Sequence, residues 1–321
     1  MFPLVALALL VGSTLAAPSA NKLVLTNDDG WATAQIRAQF QALNAAGYNT
    51  ILSAPAENQS GTGSFSRTPT NLTSPCEFNS CPSGSNATGH DATNLKINYV
   101  NAYPVDSALF GINTLSPQFF GAKPDLVVSG PNVGSNLALA AFFSGTMYAF
   151  RLLLLPKADN SASGAASAAA NAGIPSVAFS GASGSQVSFT TLTSDPNSAS
   201  SQAARIYSQL TVKFLDVLLA SPAPILPAGV SLNVNFPEVE GSCTTVDSFR
   251  FVLTRLLWNF LPIDVETCGT KVLPDESSVV GEDGACQVSV SVFNPATKLD
   301  VGASTQEIVL NKLSSILSCA V

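Results

Sequence analysis

Lys22 to Thr26 reads as a continuous buried strand around the apolar Leu23, Val24 and Leu25, and Ile36, Phe40 and Leu43 then recur at helical spacing until Gly47 stops them. The same alternation continues along the chain. "YNTILSAP" predicts a second strand ending at Pro55, and the polar stretch from Glu57 to Asn94 is too long for an ordinary connection. "LKINYV" reads as a strand, Val105 to Leu115 as a short helix, and "PDLVVSG" from Pro124 to Gly130 as a strand entering the glycine- and asparagine-rich loop "GPNVGSN". Helical material follows from Thr146 to Leu155. The alanines of "ADNSASGAASAAANAG" favour a crossover helix ahead of the strand "IPSVAF". Ser198 to Leu219 predicts a helix and "VSLNVNFP" the next strand. From Glu238 the pattern loosens, leaving "CQVSVSVF" strand-like by alternation and a C-terminal helix around Thr305 to Leu317.

Strand and helix alternating through Pro237 predict an α/β fold, Rossmann-like, with a mostly parallel sheet and helices on both faces. Three segments result: 1–17, an apolar run ending in small residues that reads as a signal peptide; 18–240, the α/β domain with a polar insertion at 57–94; and 241–321, a cysteine-bearing extension packed on the same domain. No later stretch is long enough to span a bilayer. Charged residues are only 11% of the 321, and the net charge of −7 excludes the basic patches that grip nucleic acid, so no stable nucleic-acid partner is expected. Six cysteines without zinc-type spacing fit an exported protein with three disulfides. Cys76 and Cys81 flank one short segment and favour a local bridge, leaving four to tie the C-terminal third together. The sequons at Asn58, Asn71 and Asn86 crowd the same insertion, and Asn71 and Asn86 are the glycosylation candidates. The expected location is extracellular.

Ligands of an open parallel sheet collect at the carboxyl ends of its strands. Four polar loops fall there: Asp28-Asp29-Gly30 after the first strand, "ENQSGTG" after the second, "SGPNVGSN" after the "DLVV" strand, and "FSGT" opening the following helix. Asp28, Asp29, Ser60 and Asn132 offer hard oxygen donors with no histidine or thiolate among them, a set suited to magnesium or manganese. Each motif alone has a plainer reading, since Asp-Gly favours turns and Asp caps helices. Their conjunction at successive strand ends is the signal. His90 is the only histidine and lies in the polar insertion, which excludes histidine acid phosphatases and makes a Ser-His-Asp hydrolase the poorer enzyme reading, as no strict G-x-S-x-G elbow is present. Trp31 is either a stacking residue or part of the core, and Asp106 is read first as a helix cap.

"LVLTNDDG", "SAPAENQSGTG", "YPVDSALFG", "PDLVVSGPNVGSN", "FSGT", "IPSVAFS" and "LNVNFP", in that order, resemble the SurE family of metal-dependent phosphatases, also described as 5′(3′)-nucleotidases. The likeness runs roughly from Lys22 to Pro237. It implies hydrolysis of small phosphate monoesters, of the nucleotidase or acid phosphatase type, by metal-activated water. It also implies a divalent Mg2+ or Mn2+ ion on Asp28, Asp29, Ser60 and Asn132. Gly134 and Asn136 match the family's anion loop, and Ser144, Gly145 and Thr146 its phosphate site. Of the two catalytic aspartates, Asp29 is the better candidate to accept the water's proton. The insertion and tail look like the secreted fungal branch, and family habit leaves a homodimer open. The rival from another class is a secreted, non-catalytic binding or cell-surface protein on the same fold.

Overall fold

The computed structural model describes residues 21–137, 165, 168–169, 172–282 and 284–321. The expected signal peptide, the segment 138–164 and most of the alanine-rich crossover lie outside them. Strands β1 (Lys22–Thr26), β2 (Asn49–Pro55), β3 (Thr88–Asp91), β4 (Asn94–Val100), β5 (Leu126–Val133), β6 (Ser176–Gly181), β7 (Ser231–Phe236), β8 (Arg250–Thr254), β9 (Gln287–Asn294), β10 (Leu299–Asp300) and β11 (Leu317–Ser318) form one sheet. Its order is β11-β8-β9-β7-β6-β5-β1-β2-β4-β3, with β10 on β9. From β4 through β2, β1, β5 and β6 to β7 every pairing is parallel. The chain travels outward from β1 to β2 and β4, then returns to place β5 on the other side of β1. That reversal opens a crevice at the carboxyl ends of β1 and β5, where a doubly wound sheet takes its ligands.

Helix α1 (Ala34–Ala45) lies between β1 and β2 in the chain and ends where expected, with Gly47 following at φ +92°. It packs beside the 22-residue helix Ala199–Ala220, whose N-cap Ser198 accepts the Ser201 N–H. Between these helices and the sheet the core buries Leu23, Leu25, Leu52, Val128, Phe179, Phe214 and Phe236. The Phe179 ring meets Phe214 edge-on at 5.6 Å, and Tyr207 stacks on Phe236 at 5.2 Å. Burying each such side chain stabilises the fold by about 1.5–3 kcal/mol.

Three regions depart from the sequence reading. The strand expected to stop at Gly130 continues to Val133, with a register shift between Ser129 and Asn132. Gly130 permits this: its φ is +100°, and a Cβ there would sit 2.1 Å from the Phe179 carbonyl oxygen. The polar insertion is anchored, with Leu72, Cys76 and Cys81 buried and β3 paired antiparallel to β4 as a sheet edge. The loosely patterned region after Glu238 continues the same sheet: β9 lies antiparallel to β7, and β8 and β11 follow beyond it. Disulfides join Cys76 to Cys81, Cys243 to Cys286 and Cys268 to Cys319.

Candidate active site

The turn after β1 is closed by Asn27, whose side chain donates to Gly30 O at 2.9 Å and accepts the Gly30 N–H at 3.2 Å. Two further backbone bonds fix it against the neighbouring strand end, Trp31 N–H to Pro55 O at 2.9 Å and Gln59 N–H to Asp28 O at 2.7 Å. Asp28 and Asp29 are therefore rigidly held at the crevice, and both are buried, Asp29 completely. Asp29 Oδ2 accepts the Val133 N–H at 2.8 Å, and Oδ1 accepts the Gln186 side-chain amide and, at 3.5 Å, the Ser60 hydroxyl. All three donors are neutral. Burial, and after it the neighbouring Asp28 charge, hold the Asp29 carboxyl well above the usual carboxylate range.

Beyond Val133 the chain turns into the site through Gly134, at φ +104°. The Gly134 N–H is committed to Gly181 O at 2.9 Å, so the glycine contributes conformation rather than an anion donor. The Asn136 N–H is likewise occupied, by Ser180 Oγ at 3.1 Å and Asn235 Oδ1 at 2.9 Å, while Asn136 O accepts the Asn233 amide at 3.1 Å. What remains is the Asn136 side chain: its Nδ2 is buried and has no hydrogen-bond partner among the described residues. Such an orphaned donor costs about 1–3 kcal/mol unless something accepts from it. The scaffold beneath is polar and cross-linked: Glu276 Oε2 accepts from Asn233 at 2.9 Å, from Ser291 at 3.1 Å and from Asn235 at 3.4 Å.

The structure thus brings Asp28, Asp29, Asn132, Gly134 and Asn136 to one strand-end crevice. Ser60 reaches its edge, exposed, with its N–H held by Asn58 Oδ1 at 2.7 Å. Ser144, Gly145 and Thr146 lie outside the described residues. Asn71 and Asn86 are exposed on the insertion. Trp31 is core: it is buried against Tyr99 at 5.1 Å, with the Arg37 guanidinium over it. Asp106 accepts the Tyr103 N–H at 3.1 Å at the start of the helix Pro104–Phe110. Arg67 lies over the Tyr103 ring, and Lys96 donates to Asn49. His90 is exposed on edge strand β3 rather than in a loop.

Four contributors escaped the sequence reading. Gln186 follows β6 and was reachable by the strand-end rule that selected the others. Asn233 and Asn235 alternate with apolar residues in "LNVNF", a sign of buried polar positions in a strand paired on both sides. Glu77, between two cysteines of a polar loop, carried no signal; its carboxylate accepts the Ala32 N–H at 2.6 Å, and burial pushes its pKa up to about 8.

The donor chemistry fits a hard divalent cation. Asp29 is wholly buried beside a second buried carboxyl group, and among the described residues its hydrogen-bond donors are all neutral, so a bound cation would offset the charge of the ionised pair. The residues suited to hold it are Asp28 and Asp29, with the neutral oxygens of Asn132 and Ser60 beside them. Among the described residues, no third acid, histidine or cysteine joins these two in a ligand cluster.

The family model described as survival protein SurE matches residues 23–152 and 158–259. The chain is 33% identical over 307 residues to a protein named acid phosphatase from Yarrowia lipolytica, covering 86% of this chain and 80% of that one. It is 34% identical over 128 residues to a 5′-nucleotidase SurE of Maridesulfovibrio salexigens, a match spanning 40% of this chain and 44% of the relative. In fold it is similar to the crystal structure of the SurE protein from Aquifex aeolicus, with a TM-score of 0.54 at 21% identity, covering 85% of this chain and 93% of that one.

Proposed function

The chain belongs to the SurE family, and on that premise we propose that it is a divalent-metal-dependent phosphatase hydrolysing small phosphate monoesters, nucleoside monophosphates among them. The observation that carries the reading is the fully buried Asp29 carboxyl group, held among the described residues by neutral donors and lying next to a second buried acid. When bound, a divalent cation supplies charge neutralisation of the phosphoryl oxygens and a more acidic water. The chain does the rest. Val133 and Gln186 fix the orientation of Asp29, which makes it the better placed of the two aspartates to accept the proton of the attacking water. Asn136 Nδ2, without a partner among the described residues, is the donor left to meet a phosphoryl oxygen as charge moves in the transition state. The backbone N–H groups of Gly134 and Asn136 are spent within the fold, so the side chain is the recognition group there. Ser144 and Thr146 are the remaining candidates for phosphate contact.

The test is phosphate release from p-nitrophenyl phosphate and nucleoside monophosphates with Mg2+, with Mn2+ and with chelator, beside Asp29→Asn. Metal-dependent release that disappears in the variant supports the proposal. Full activity in the variant, or in chelator, overturns it, and failure to bind any divalent cation favours the non-catalytic alternative.

The reading extends to an exported glycoprotein. Its support is the apolar run of residues 1–17, three closed disulfides and two exposed sequons, Asn71 and Asn86. Asn58 is expected to stay unmodified because a glycan two residues before Ser60 would crowd the site. N-terminal sequencing and a glycosidase mobility shift of the protein from a eukaryotic secretory host check both points.

A further inference from the structure

We propose that the disulfide-closed loop Cys76–Cys81 acts as a bracket on the catalytic turn, with Glu77 as the positioning residue that carries its grip. The inference rests on reading Asp28 and Asp29 as that turn. Glu77 links that turn to the neighbouring strand end. Its N–H donates to Ala56 O at 3.1 Å, just past β2, and its carboxylate crosses to accept the Ala32 N–H at 2.6 Å, just ahead of α1. Between these points lies Gly30, adjacent to Asp29. A Cβ on Gly30 would stand 2.3 Å from both Glu77 carboxylate oxygens, so the glycine supplies the space the carboxylate occupies as well as the φ of +110°.

The loop is built to hold that carboxylate still. Phe78 and Asn79 both adopt left-handed backbone, at φ 54° and 55°, a conformation that persists only where the surroundings impose it. The surroundings here are the Cys76–Cys81 disulfide, the Cys76 N–H bond to Cys81 O at 3.0 Å, and Ser80, which returns both its N–H and its hydroxyl to Glu77 O at 3.0 and 2.7 Å. Both cysteines are buried. The far side is closed by Arg37, which donates Nε–H to Trp31 O at 2.8 Å and pairs with Asp91 at 3.0 Å. The turn bearing Asp28 and Asp29 is therefore gripped from the insertion, although no residue of the loop need touch substrate. Partners of this outer kind typically cost 10–100-fold in metal affinity or activity when removed.

The experiment compares wild type, Glu77→Ala, Glu77→Gln and the double variant Cys76→Ser/Cys81→Ser in the full chain. The readouts are Mn2+ affinity by calorimetry, kcat and KM on p-nitrophenyl phosphate, and amide exchange over residues 27–33. Glu77→Ala is expected to weaken Mn2+ binding and lower kcat by about tenfold or more, with KM changed less, and to speed exchange at Ala32. Glu77→Gln, which keeps an acceptor oxygen, is expected to restore most of both, and the double cysteine variant to move in the same direction as Glu77→Ala. Unchanged exchange across 27–33 in Glu77→Ala overturns the bracket whether or not the protein turns over substrate. Wild-type Mn2+ affinity in that variant overturns it too. A wild type that binds no cation and hydrolyses no ester defeats the phosphatase reading instead, and the exchange measurement still decides the bracket.

Discussion

Gln186 donates its side-chain amide to Asp29 Oδ1 from 157 positions further along the chain. The contact ties the loop after β6 to the turn after β1 and supplies the buried carboxylate with a donor that does not neutralise it. Gln186→Ala is expected to lower kcat about tenfold by freeing that carboxylate to rotate. Gln186→Glu should be worse, because it places a third acid against Asp28 and Asp29. Steady-state kinetics on the two variants check the order, and equal activities would remove Gln186 from the site.

Asn136 separates stability from activity. Its Nδ2 is buried without a partner, so Asn136→Ala removes a donor the folded protein does not use. The expected outcome is a melting temperature equal to or above that of wild type with kcat/KM reduced about 100-fold. A variant that melts earlier with its kinetics intact would make Asn136 a scaffold residue only.

Lys298 offers a prediction away from the site. Its amino group is buried near the Phe293 ring without a hydrogen-bond partner among the described residues, and burial holds its pKa well below the usual lysine value. A folded-state pKa below the unfolded one means that the unfolded chain binds more protons across that interval. This lysine therefore costs nothing above the unfolded pKa, and its cost grows as pH falls towards the folded value. Lys298→Met should raise the melting temperature, and the gain should be larger at pH 6 than at pH 10. Thermal melts at the two pH values test this, and a gain independent of pH would contradict it.

The disulfides should rank by the loops they close. Cys268–Cys319 spans 51 positions and Cys76–Cys81 only 5. Chain-entropy arguments give about 4 kcal/mol for the first and about 2 kcal/mol for the second. Denaturant unfolding of the paired serine variants should show the larger loss for Cys268→Ser/Cys319→Ser, and the reverse order would assign the short bridge a folded-state contribution beyond loop closure.

How much of this was legible in the chain depends on the range over which each feature is set. β1, α1, β2 and the helix from Ala199 follow local periodicity and local caps, and the sequence pattern places them within a few residues. Asp28, Asp29, Ser60 and Asn132 follow a strand-end rule that needs only the strands, whereas Asn136 came from the family resemblance. β8, β10 and β11 are short and acquire their state from partners far away in sequence, so no local pattern marks them. Glu77 was invisible for a related reason. Its role depends on a disulfide-held loop folding back 45 residues, and nothing in "CEFNSC" states where that loop will land. Trp31, with a base-stacking reading open beside the core one, was decided by Tyr99 and Arg37, which packing alone brings to it.

The floor beneath Asn136 has a consequence for biogenesis. Asn136 rests on Asn233 and Asn235, which are held by Glu276 and, through it, by Ser291. A ribosome delivers Asp28 and Asp29 long before it delivers those residues, and domains generally fold as units during synthesis. The amino-terminal strands can pair early, but the cradle beside the aspartates cannot set until residue 291 has cleared the exit tunnel. A nascent chain halted near residue 240 would carry both acids and bare the edge of β7 that β9 normally covers, a ready template for pairing with another chain.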